Sequence, residues 1–250
     1  MNQPTLYNKE EIVVIRNLKK SFGTNHVLDD FNLTVHKGEN VVVLGRSGSG
    51  KSVLIKCLVR LLEADDGEMK VFGMSIPDLS HKALDDIRAR IGFLFQSSAL
   101  YDSMTVLENL EFPLRRHKLR ITRQEVDKLV KLALENVGLS GTESMMPSEL
   151  SGGMKKRIGI ARMLILNPEV MLYDEPTTGL DPITGREINH LMLEVQEKYN
   201  TSSIIISHDM NCVRRTANRV VVLLNGKCYA EGTYEDLKTS NDKNIKQFFD

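Results

Sequence analysis

Val41-Val42-Val43-Leu44-Gly45-Arg46-Ser47-Gly48-Ser49-Gly50-Lys51-Ser52 decides how the rest of the chain is read. Four consecutive apolar residues, three of them β-branched, predict a strand buried on both faces. The next eight residues fit G-x-x-x-x-G-K-[ST], and Leu54, Ile55, Leu58 and Leu61 then recur at helical spacing. Strand, glycine-rich turn and helix together make a phosphate cradle. The glycines let successive backbone N–H groups converge on phosphate oxygens, and the helix N-terminus turns its positive dipole end to the same anion. Lys51 adds a point charge for β- and γ-phosphates, and the Ser52 hydroxyl is placed to ligate Mg²⁺. Gly45, Arg46, Ser47, Gly48, Ser49, Gly50, Lys51 and Ser52 are therefore the candidate nucleotide-binding residues.

Working outward, Val170-Met171-Leu172-Tyr173-Asp174-Glu175 is a second buried strand, and it ends in two adjacent acids. Beside a phosphate loop the pair gains a purpose. Asp174 enters the Mg²⁺ shell, directly or through water, and Glu175 lies one step further on, where it orients or deprotonates an attacking water. Further strands are expected at Ile12–Ile15, Ile91–Phe95, Ser203–Ile206 and Val220–Leu224. The alternating run Leu28–Val35 suggests an antiparallel, half-exposed strand. Strand-like runs stop after Gln96 and helical periodicity continues to about Leu166. There Thr122 and Glu125 form a capping box before the stripe Val126, Leu129, Val130, Ala133 and Val137, which Gly138 ends. A helix beginning near Ser151 faces Met154, Ile158, Ala161 and Ile165 inward. Another follows the N-cap pair Asp181-Pro182, with Ile188, Leu191, Met192 and Val195 inward.

Composition bounds the alternatives. The 250 residues carry 33 Lys+Arg and 33 Asp+Glu with 41% hydrophobic residues, which suits one large domain, with or without an embedded subdomain. It excludes a disordered, collagenous or disulfide-framed chain. Zero net charge argues against nucleic acid bound through global positive charge. No apolar run approaches the ~20 residues of a membrane span, and Met1-Asn2-Gln3-Pro4 does not read as a secretory start, so a cytoplasmic location is expected. Cys57, Cys212 and Cys228 are read as reduced packing residues.

With Leu150-Ser151-Gly152-Gly153-Met154 lying between the phosphate loop and the acid pair in sequence order, the chain resembles the ABC ATPases over nearly its whole length. The resemblance implies an α/β, P-loop NTPase (ABC ATPase) fold: a parallel-sheet core, an antiparallel β edge subdomain and an inserted α-helical subdomain. A nucleotide-binding core at residues 1–95 and 167–250 would enclose a helical signature subdomain at 96–166. It further implies that Ser151, Gly152 and Gly153 bind the γ-phosphate held by a second copy's loop, and that Phe22 stacks on adenine. Gln96 would reach the Mg²⁺ and water site and link it to the helices. Thr178-Gly179-Leu180-Asp181 would bridge two sites, with Asp181 near the nucleotide, and His208, in Ser207-His208-Asp209, would hold Glu175 and the water. Catalytic roles thus fall to Glu175, His208 and Gln96, and metal roles to Ser52, Gln96 and Asp174, with ATP and Mg²⁺ as the cofactors.

Several stretches are similar to the Mla/Mce-type lipid-transport ATPases: Phe95–Tyr101, Phe112–Arg115, Met146–Glu149, Met154 and Asp181-Pro182-Ile183. They imply the energy-supplying subunit of a phospholipid transporter. Its expected partners are a second copy in a head-to-tail ATP sandwich, separate transmembrane permease subunits and a substrate-binding lipid carrier, with no nucleic acid. It would lie on the cytoplasmic side of the inner membrane, docked through Ser97–Leu114. Open beside this are the ATPase of another ABC importer or exporter, a soluble ABC ATPase of cofactor assembly, and a nucleotide-gated structural protein. The basic residues Arg115, Arg116, Lys118, Arg120 and Arg123 read as a solvated face or as a surface for an acidic partner or lipid headgroups.

Overall fold

The computed structural model describes residues 8–117 and 121–249. Lys118 and Arg120 of the basic cluster, and the start at Met1–Pro4, lie outside them. The chain runs β1 (Asn8–Phe22), β2 (Asn25–Lys37), β3 (Asn40–Leu44), α1 (Lys51–Leu58), β4 (Asp66–Val71), β5 (Met74–Ser75), α2 (His81–Ala89) and β6 (Ile91–Leu94). Helices α3 (Val106–His117), α4 (Arg123–Asn136) and α5 (Gly152–Leu164) come next. Then follow β7 (Val170–Asp174), α6 (Pro182–Tyr199), β8 (Ser202–Ser207), α7 (Met210–Thr216), β9 (Arg219–Leu224), β10 (Lys227–Gly232), α8 (Tyr234–Lys238) and α9 (Lys243–Lys246).

Two sheets result. The larger has the order β10-β9-β3-β8-β7-β6, with β3, β6, β7, β8 and β9 parallel and β10 closing one edge antiparallel. Its central strands are buried along their whole length, as their unbroken apolar runs require. Successive side chains alternate between two cores. Val41, Val43, Leu172, Ile204, Ile206, Val221 and Leu223 face a layer shared with β1, β2, α1 and α2. Val42, Leu44, Met171, Tyr173, Ile205, Val220 and Val222 face the helices of the second half. The smaller sheet, β2-β1-β4-β5, is antiparallel throughout. The Leu28–Val35 run belongs to β2, and its alternation slips at Asp30, where φ is +65°.

The strands β4, β5 and β10 go unmarked in the sequence because they are edges or neighbours of edges. In β10, Lys227–Gly232 alternates exposed with half-buried residues and carries no apolar run. The helix starts of α4, α5 and α6 follow the sequence reading closely. Thr122 and Glu125 form the expected capping box, Ser151 caps α5 by accepting from the Met154 N–H, and Asp181 caps α6 with Pro182 at its first position. Cys57 and Cys212 are buried, Cys228 is half-buried, and all three are free thiols. No helix among the described residues is long and apolar enough to cross a membrane.

Strand β4 passes β1 at an irregular step, and Gly67 is what permits the approach. Its φ is +102°, and a Cβ there would stand 2.6 Å from the Asn17 carbonyl oxygen, 2.7 Å from the Leu18 Cα and 2.8 Å from the Arg16 carbonyl oxygen. Those contacts are all backbone, so no side-chain rotation relieves them. Gly67→Ala is expected to cost about 3 kcal/mol, combining a disfavoured backbone with overpacking. Urea unfolding checks this, since an unshifted midpoint would mean that the β1–β4 pairing yields without cost.

Candidate nucleotide site

All the groups of the candidate site stand at the C-terminal ends of the parallel strands, where loops leave the sheet for helices. From β3 the chain turns through Gly45–Gly50 into α1. Gly50 occupies the position before the helix with φ +99°, and a Cβ would stand 2.5 Å from Val27 Cγ1 and 2.9 Å from the Val27 carbonyl oxygen. Only glycine fits there, because the end of β2 presses on the loop. No side chain caps α1, so its first N–H groups remain available to an anion. Ser49 Oγ is buried without a hydrogen-bond partner in this loop. An uncapped helix end and an orphaned hydroxyl fit a phosphate ligand.

Lys51 is 5% exposed. Its Nζ donates to the carbonyls of Gly45 at 2.8 Å and Arg46 at 3.0 Å, and stands 3.7 Å from Glu175 Oε1. Burial lowers the affinity of this ammonium for its proton, and Glu175 and Asp174 partly restore it. Ser52 Oγ donates to Asp174 Oδ1 at 2.6 Å, which joins the phosphate loop to the end of β7. A hydroxyl and a carboxylate converging in this way are the oxygen donors that Mg²⁺ prefers.

Glu175 is held from several sides. Its N–H donates to the Ile206 carbonyl at 3.0 Å, extending the β7–β8 pairing, while φ of +50° swings the chain out of the strand. Such a conformation in a non-glycine residue costs about 1–3 kcal/mol and persists only under strong local restraint. His208 Nδ1 lies 2.8 Å from Glu175 Oε2, and Thr178 Oγ1 donates to the same oxygen at 3.3 Å. Against an ionised carboxylate His208 Nδ1 is the donor, which leaves Nε2 on the exposed side of the ring.

The remaining expected residues lie elsewhere. Gln96 is exposed and, among the described contacts, joins the cluster through its carbonyl rather than its amide. Phe22 ends β1 and is 49% exposed, with Lys20 Nζ 5.4 Å from its ring centre. Arg46 reaches away from the loop to donate to Gln247. Gly152 and Gly153 face the start of α6, where their Cβ positions would lie 3.4 Å from Leu180 Cδ2 and 2.5 Å from Thr184 Cγ2. Asp181 is occupied as a cap, accepting from the N–H groups of Ile183 and Thr184 and from the Thr184 hydroxyl.

The sequence does not single out Lys156, and it marks Thr178 only as the start of the bridging segment, not as a donor to Glu175. Lys156 is 4% exposed, and burial pushes its ammonium down to about 8 against the pull of Asp174 and Glu175. A signal existed: Lys156 falls four and seven residues before Ile160 and Met163, on a helix buried nearly all round. The described residues of the basic cluster are paired within the chain. Arg115 and Arg123 pair with Glu111, Arg123 also with Asp127, and Arg116 with Asp85 of α2.

Comparison with known proteins extends these observations. Residues 28–178 match the family described as ABC transporter. An intermembrane phospholipid transport system ATP-binding protein, MlaF of Haemophilus influenzae, is 37% identical over 239 residues, covering 96% of this chain and 90% of that protein. A probable ribonucleotide transport ATP-binding protein, mkl of Mycobacterium leprae, is 37% identical over 236 residues, covering 94% and 68%. A methionine import ATP-binding protein, MetN of Rhizobium johnstonii, is 42% identical over 223 residues, covering 89% and 61%. The ATP-binding cassette MJ0796, solved as a dimer in a post-hydrolysis state bound to ADP and Pi, superposes with a TM-score of 0.81 at 32% identity, covering 88% of this chain and 98% of that one. The cbiO1 subunit from Clostridium perfringens gives 0.81 at 28% identity, covering 96% and 98%. On fold, motif order and likeness alike, the chain belongs to the ABC transporter family as an ATP-hydrolysing subunit.

Proposed function

We propose that this chain supplies ATP hydrolysis to a phospholipid transporter, with Glu175 as the group that positions and deprotonates the attacking water. The observation that carries the catalytic part is the convergence of Lys51, Asp174, Glu175 and His208 at one strand end. Gly45–Ser52 hold the phosphates, Phe22 stacks on the base, and Ser52, Asp174 and Gln96 hold Mg²⁺. Held there, Mg²⁺ would supply neutralisation of phosphate charge. Glu175 accepts the water proton, and His208 holds its carboxylate in place through Nδ1. Ser151, Gly152 and Gly153 of a second copy complete the γ-phosphate ligands, with Asp181 at the bridge between the two sites. Closure is favoured because only the closed pair supplies every ligand.

Residues 96–166 act as one helical unit against a core of 1–95 and 167–250. Separate permease chains dock on the Ser97–Leu114 segment, where the exposed rings of Tyr101 and Phe112 pack 5.0 Å apart. Leu61, Arg88, Phe93, Phe95 and Arg116 line a groove of about 270 Å³ at the end of the same helix. The subunit is thereby peripheral on the cytoplasmic side of the inner membrane. A lipid-carrying partner protein belongs to the same assembly, and nucleic acid does not.

The lipid assignment draws support from MlaF, named for phospholipid transport, and from the Met154 and Met146–Glu149 stretches. Purification from membranes with ATP trapped by Glu175→Gln, followed by mass spectrometry, tests it. Permease chains carrying phospholipid are the expected co-purifying species. A complex that carries no lipid and binds methionine or ribonucleotide instead would overturn the lipid assignment while leaving the ATPase in place.

A further inference from the structure

Two charged side chains of α5, Lys156 and Arg162, point back at the segment where the chain leaves β6 for the helices. Arg162 donates to the carbonyls of Ser98 at 2.9 Å and Ala99 at 2.8 Å, both of which have positive φ. One turn earlier, Gly159 lets α5 press on Leu94 and Ser98, since a Cβ would stand 2.6 Å from Leu94 Cδ1 and 3.4 Å from Ser98 Cβ. A further turn back, Lys156 Nζ donates to the Gln96 carbonyl at 2.5 Å and approaches the Glu175 carbonyl at 3.4 Å. Arg157, on the other flank, donates to the Val137 carbonyl and pairs with Glu187. Of these, only Lys156 reaches the end of β7.

An ammonium in this place is costly unless it has work for all its protons. Lys156, Lys51, Asp174 and Glu175 are 4%, 5%, 4% and 8% exposed, so two cations and two anions share one dry region. The contacts of Lys156 Nζ are carbonyls, and a buried charge gains little stability over an apolar group of equal shape. A methionine in α5 would fill the same space with less desolvation, and the use of lysine calls for another reason.

We propose that Lys156 is a positioning residue: by spanning the carbonyls of Gln96 and Glu175, it makes the placement of the Glu175 carboxylate depend on how α5 and the Gln96 turn are oriented against the sheet. Glu175 sits in a left-handed backbone conformation that its surroundings must impose, and its carbonyl is the handle on the peptide that follows. A rotation of the helices would draw Nζ away from one carbonyl or the other and loosen the carboxylate before any nucleotide contact changed. The inference rests on the reading of Glu175 as the residue at the water.

Steady-state ATP hydrolysis by Lys156→Met and Lys156→Arg, with Glu175→Gln alongside, tests it in the full chain. Lys156→Met keeps length and volume and removes the donors. It is expected to lower kcat at least tenfold with the KM for ATP within threefold of wild type. Lys156→Arg, which keeps charge and donors, is expected to recover kcat to within threefold of wild type. Should the methionine variant fail to fold, Lys156→Gln takes its place, with its shorter neutral amide expected to fall tenfold below Lys156→Arg. Wild-type kcat in the donor-free variant would overturn the inference, as would an arginine variant no faster than it. Wild-type turnover in Glu175→Gln would instead remove the reading of Glu175 on which it stands.

Discussion

Glu175→Gln is expected to bind ATP at least as tightly as wild type while turnover falls by about 10²–10⁴-fold, the usual worth of a positioned general base. The amide keeps the shape of the side chain and one oxygen to accept from His208 and Thr178, so the geometry around β7 should hold. What changes is proton acceptance and charge. With Glu175 neutral, Lys51 and Lys156 face Asp174 alone, and the buried cluster becomes net positive toward a polyanionic ligand. Single-turnover hydrolysis separates the outcomes. A burst of product at the wild-type rate would place the water elsewhere, and weakened binding would mean that Glu175 organises the loop rather than the chemistry.

Lys51→Ala is expected to weaken ATP binding by about 100-fold, on the order of 3 kcal/mol for the loss of one charged, largely desolvated donor to phosphate. The ammonium is held over the loop by the Gly45 and Arg46 carbonyls, which accept from Nζ. Lys51→Arg is a poor replacement, because a planar fork does not fit a site where the native side chain is 6% exposed. Isothermal titration with ATP·Mg²⁺ measures the effect, and affinity within threefold of wild type for Lys51→Ala would remove the residue from phosphate binding.

The parallel core was legible because its physics is local. Val41–Leu44 and Val170–Tyr173 are apolar at every position and Ser203–Ile206 at all but the first, and only a strand covered on both faces asks for that. The loop at Gly45–Ser52 was equally plain, since its glycines, lysine and serine each meet a separate demand of a phosphate. Helix starts at Thr122, Ser151 and Asp181 were readable from their caps. Strands β4 and β10 were not, because an edge strand needs few apolar residues and their pairing depends on partners far along the chain. The site divides in the same manner. Ser52 bonds to Asp174, and Glu175 to His208, each of them a residue that the sequence marks singly. A lysine in a helix reads as solvated, so the spacing that puts Lys156 on the buried side of α5 with Ile160 and Met163 is easily discounted, and nothing local tells that its partner is Gln96. The left-handed φ of Glu175 was hidden for a similar reason, since Ile206 and His208, which bond to it, come from another segment.

A hydrolysis site finished by a second copy is the centre of this view of the protein, and the mass of Glu175→Gln in solution tests it most directly. With ATP·Mg²⁺, sedimentation equilibrium is expected to give a dimer of the 28.2 kDa chain holding two nucleotides, and Ser151→Arg in the same background is expected to return it to monomer. A Glu175→Gln chain that stays monomeric at saturating ATP, or a dimer indifferent to Ser151→Arg, would contradict it.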